Sequence, residues 1–91
     1  MKDNQYLIYR KRAEKHLVEY RVTEVTPHLL DIITSVMMHR DGIQPGGSAV
    51  SAICDNDLFG VVGRADHEVL KNIKVVVAAH LYAHIQQFQY V

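Results

Sequence analysis

The fold turns on how NQYLIYRKRAEKHLVEYRVTEVT, residues 4–26, is read. Tyr6, Tyr9, Ala13, Leu17 and Tyr20 would share one face of a helix, and Lys11 to Lys15 are mostly good helix formers. Against this, Leu17 to Thr26 is rich in β-branched residues, and Val18, Tyr20 and Val22 alternate with Glu19, Arg21 and Thr23. Periodicity does not separate the two. The propensity of the second run favours two strands, at Tyr6–Arg10 and Leu17–Val25, joined around Arg12 to Lys15. The expectation is therefore an α+β fold, a short N-terminal β-hairpin followed by a mainly helical bundle with a long C-terminal helix; the alternative is an all-α fold.

Downstream the elements are better marked. Thr26 is an N-cap, Pro27 suits the first helical position, and Leu29, Leu30, Ile33, Val36 and Met37 form an apolar stripe. His39 and Arg40 suit the last turn and Gly42 its end, which predicts a helix over Pro27–Asp41 with Ile43 packing back across the turn. The stretch Gln44 to Asp66 then carries glycines, a proline and the single cysteine, Cys54. Pro45, Gly46 and Gly47 specify a tight turn, and Ser48 is read as the N-cap of a short helix to Cys54. Asp55 to Asp57 compete for backbone N–H groups and restart the chain, so Leu58, Phe59, Val61 and Val62 make one or two turns ended by Gly60 or Gly63. Asp66 is the natural N-cap of a final helix, His67 to Phe88, which is apolar nearly all round and so needs cover on every side.

Ninety-one residues make one domain, 1–91, with an N-terminal part to residue 26 and a helical core from 27. A chain of this length is expected to need association to cover the last helix, and a homo-oligomer with closed symmetry is the preferred reading. Ten basic residues balance ten acidic ones, which argues against nucleic acid as a partner. One cysteine excludes an internal disulfide and a multi-cysteine zinc site, and reads as a buried thiol. No apolar run is long enough for a membrane span and the first residues lack a leader pattern, so a soluble, cytoplasmic chain with no membrane partner is expected.

The candidate chemistry is a binding site. Gly46, Gly47 and Ser48 open a helix with several N–H groups turned one way, a place for an anion. Arg64, in a constrained link between two helix starts, could clamp a phosphate or carboxylate, or could pair with Asp57 or Asp66. His80 and His84 stand at i, i+4, but Leu81 occupies the place of the usual glutamate and no third ligand follows by spacing, so neither a metal nor a cofactor is expected. They read instead as pocket walls, with Tyr82, His80 or an N-terminal tyrosine to stack on a base. Cys54, Ser48, Asp55, Asp57 and Asp66 fall in no catalytic motif, and no enzyme is expected.

Gly42 to Ser48, then Asn56-Asp57-Leu58, then Gly63-Arg64-Ala65-Asp66, resemble a group of short phage and prophage proteins that carry a pattern close to G-I-P-P-G-S-F, N-D-L and R-A-D. This chain departs from the pattern at Gln44, by an added glycine, and at Ala49 where a large aromatic is common. The resemblance implies a phage accessory protein, acting within the infected host cell. Such a protein is expected to sequester a phosphate-bearing signal such as a cyclic nucleotide, in anti-defence, in pockets at the subunit boundaries of a homo-oligomer, or to bind a host protein through an apolar helix face.

Overall fold

The computed structural model describes residues 2–88, and side chains over residues 4–81. Among these residues there are six helices and no strand: α1 (Lys2–Glu19), α2 (Pro27–Arg40), α3 (Ser48–Cys54), α4 (Leu58–Arg64), α5 (His67–Lys71) and α6 (Ile73–Phe88). The expected N-terminal hairpin is thereby overturned, and the all-α alternative fits. The reason lies in which side chains are buried. Tyr9, Ala13, His16 and Leu17 go into the core while Val18 is 74% exposed. Burial at i, i+4, i+7 and i+8 is a helical stripe, and no strand can bury the neighbours His16 and Leu17 on one face. Burying Leu17 alone contributes roughly 1.5–3 kcal/mol, more than the whole β-propensity scale spans.

What was read as the second strand becomes the end of α1 and the link to α2. Arg21 takes a positive φ of 56°, the Arg21 N–H donates to the Val18 carbonyl and the Val22 N–H to the Leu17 carbonyl at 3.1 Å. This is a Schellman cap. The same device closes α2, with Gly42 at φ 73° and Ile43 N–H donating to Met38 at 2.9 Å. It also closes α3, with Asn56 at φ 58° and Asp57 N–H donating to Ala52 at 2.9 Å. Only one of the three left-handed positions is a glycine.

The second helix is the hub. Leu29, Leu30, Ile33, Thr34, Val36, Met37 and Met38 are all buried along it, and α1, α3, α5 and α6 all pack against it. Thr26 caps it as expected, accepting from the Leu29 N–H at 3.0 Å. Ile43 stays 38% exposed and packs back only in part. Two further boundaries differ from expectation. The α4 helix runs through both Gly60 and Gly63 to Arg64. The final helix is two: Asn72 leaves helical geometry at φ −109°, and its side-chain amide donates back to the Glu68 carbonyl at 2.9 Å. Val75, Val76, Ala78 and Ala79 of α6 are buried by the chain's own elements, while Leu81 is 49% exposed.

Polar contacts tie α2 to α1 and α6. Tyr9 donates to Asp41, Arg40 donates to Asp41 and to the Ala79 carbonyl, and Arg10 pairs with Asp31. No helix among the described residues is long and apolar enough to cross a membrane.

Candidate functional site

In the glycine turn Gly46 is closely packed, whereas Gly47 has open space where a side chain would stand. Gly47, not Ser48, is the N-cap of α3, and Ser48 is its first helical residue. The Gly46 N–H is taken by the His39 ring, donating to Nδ1 at 2.9 Å. A side chain on Gly46 would run into Val50 and come within 3.0 Å of the Ser35 hydroxyl, so glycine is needed there for close approach of the turn to α2 and α3. Arg64 is exposed at the end of α4. Its proposed ion-pair partners are engaged locally: Asp57 caps α4 at the Gly60 N–H, and Asp66 caps α5 at the Val69 N–H and pairs with His28. His80 lies half-buried on α6, and the side chains of Tyr82 and His84 lie outside the described residues. None of Gly46, Gly47, Ser48, Arg64 and His80 lines the recess described next.

That recess lies between the α1–α2 link and α5. A cleft of about 420 Å³ is walled on one side by Tyr20, Arg21, Val22, Glu24 and Thr26, and on the other by His67, Glu68, Lys71 and Asn72. Local chemistry explains why the two walls stand together. The Thr26 hydroxyl accepts from the start of α2 and donates to Glu68 Oε2 at 2.6 Å, fastening α5 to the α2 N-terminus. The Schellman cap holds the backbone of Arg21 at the rim, and its guanidinium makes no hydrogen bond or ion pair among the described residues. The same is true of Lys71 and His67.

Tyr20 joins this cleft to two others. It lines a 310 Å³ recess with Lys71, Lys74 and Val75, and an apolar groove of 340 Å³ with Ile73, Val77, Ala78 and Leu81. Its ring rests 4.6 Å from that of His16, a buried neighbour that fixes it in place. His16 in turn faces the Val75 carbonyl through Nε2 at 2.9 Å, and burial holds its pKa below the usual histidine value. Tyr20 is thus common to three neighbouring recesses, polar where Arg21, Glu24, Glu68 and Lys71 stand and apolar where Ile73, Val77 and Leu81 stand. In the polar recess Arg21 and Lys71 balance the carboxylates of Glu24 and Glu68, and Lys74 stands at the other two.

Cys54 is half-buried, with its thiol pushed up by burial, which disfavours the reactive thiolate. Among the described residues no three of histidine, cysteine, aspartate and glutamate are grouped to hold a metal ion. No protein-family model matches the chain, and no curated protein or solved structure is significantly similar to it.

Proposed function

We propose that this chain is a small helical binding protein that sequesters a phosphate-bearing, ring-containing small molecule such as a cyclic nucleotide, the role in phage anti-defence that its central motif pattern suggests. The groove around Tyr20 carries the proposal. A ring seated against Tyr20 and the Ile73–Leu81 face would leave its phosphates beside Arg21, Lys71 and His67, where guanidinium and ammonium groups donate charge-assisted hydrogen bonds. A volume of some hundreds of cubic ångströms suits a ligand of that size. Holding without turnover needs no nucleophile and no poised base in the groove. The site proposed for the ligand therefore moves from the glycine turn and Arg64 to the α1–α2 link and α5.

The test is thermal unfolding of the purified chain against a panel of cyclic and linear nucleotides. A ligand at 100 times its dissociation constant adds about 2.7 kcal/mol, a shift of several degrees for a domain of this size. A panel that leaves the melting temperature unmoved at millimolar concentration would overturn the proposal.

A further inference from the structure

Among the described residues nothing packs on the outer face of α1. The helix packs its inner side on α2 and α6, and on the other side Leu7, Lys11, Glu14 and Val18 follow one another at spacings of four, three and four residues. All four are exposed, Leu7 at 54% and Val18 at 74%, with Ile8 beside them at 52%. Such spacing is the heptad seam along which one helix lies on another. Among the described residues nothing covers the two aliphatic ends, and Lys11 and Glu14 form no ion pair with each other or with any other of them.

The order of residues is complementary to itself. Counted outward from the midpoint between Arg12 and Ala13, Leu7 and Val18 are equally far, and so are Lys11 and Glu14. We infer that α1 pairs antiparallel with α1 of a second copy about a two-fold axis, each Leu7 lying on Val18 of the other copy and each Lys11 pairing with Glu14 of the other copy. A two-fold interface needs one patch that matches its own image, and this face does so in its order of aliphatic and charged residues. Two polar layers at the centre of the seam fix the register, because sliding either helix would set a charge against an aliphatic residue. The chain's zero net charge adds no long-range repulsion to the approach. By contrast α4, which exposes Leu58, Phe59 and Val62, carries no charge pattern that would choose a partner or a register.

Sedimentation equilibrium of the full chain, from micromolar to millimolar concentration, tests the inference. A reversible monomer–dimer equilibrium is expected. Lys11→Glu and Glu14→Lys each place two like-charge pairs across the axis and should raise the dimer Kd about tenfold or more. The double variant restores opposite charges and should return Kd to within about threefold of the parent, while circular dichroism reports the fold of each variant. A chain that stays monomeric to millimolar concentration overturns the inference. So does a dimer indifferent to both single changes, or a double variant weaker than either. A photo-crosslinker at position 18 that captures a different protein in cells, with no homodimer adduct, also overturns it.

Discussion

The phenol of Tyr9 donates to the Asp41 carboxylate at 2.6 Å, tying α1 to the C-terminal end of α2. The Asp41 carboxylate also accepts from Arg40, whose guanidinium reaches on to the Ala79 carbonyl of α6. The C-terminal end of α2 is thus tied to the middle of α1 and, through Arg40, to α6. The Asp41 pKa lies below the usual value because Arg40 and Tyr9 donate to it, although burial opposes them. Tyr9→Phe removes one donor and leaves Arg40 in place, so a loss of about 1–2 kcal/mol of unfolding free energy is expected in denaturant titrations at pH 7, with unchanged helix content. A change below a few tenths would show that the contact carries no stability.

His16 should make the fold sensitive to mild acid. Burial lowers its folded pKa, the Val75 carbonyl and Glu19 opposing only in part, so the unfolded chain takes up a proton there first. The stability it supports is complete above the unfolded value near pH 6.5 and is lost as pH falls from there through the lower folded pKa. Unfolding free energy of the parent should therefore decline between pH 7 and 5 more steeply than that of His16→Leu, measured in the same urea series. Parallel profiles would count against this role for His16.

The glycine turn gives opposite expectations at adjacent residues. Gly46→Ala pushes a methyl into Val50 and should cost about 1–3 kcal/mol. Gly47 has open space at the Cβ position and extended backbone angles at the N-cap of α3, so Gly47→Ser should gain a few tenths of a kcal/mol. Equal loss at both positions in thermal melts would contradict the packing account.

These differences mark where the sequence was legible. Thr26, Pro27, Asp57 and Asp66 announce helix starts through capping chemistry that acts over three residues, and the structure has those helices where the caps put them. The reading of residues 4–26 failed because β-branched propensity near Val22 is real but concerns a link rather than a strand, and the burial of His16 and Leu17 outweighed it. Arg21 and Asn56 carry no glycine to signal a left-handed cap. Asn72 interrupts an apolar pattern that is periodic on both sides of it, and the break shows only in the structure, in its backbone angles and its bond back to Glu68. The groove was invisible for a different reason. It joins Tyr20 and Arg21 to His67 and Lys71, residues distant in the chain and members of no motif, and only the fold brings them to one place.

Arg21 sets stability against binding. A non-glycine residue in the left-handed region costs roughly 1 kcal/mol. Arg21→Gly should therefore raise the unfolding free energy by up to about 1 kcal/mol in the absence of ligand, while weakening nucleotide binding about tenfold or more through loss of the guanidinium. Paired chemical denaturation and calorimetric titration check both halves. A glycine variant that binds as well as the parent would remove Arg21 from the site.

The most direct measurement is an amide chemical-shift titration of labelled protein with a cyclic dinucleotide and with the linear nucleotides. The account predicts saturable shifts gathered at residues 20–26 and 67–78, with Gly46, Gly47, Ser48 and Arg64 quiet. Shifts centred on the glycine turn and Arg64, or none at millimolar ligand, would contradict it.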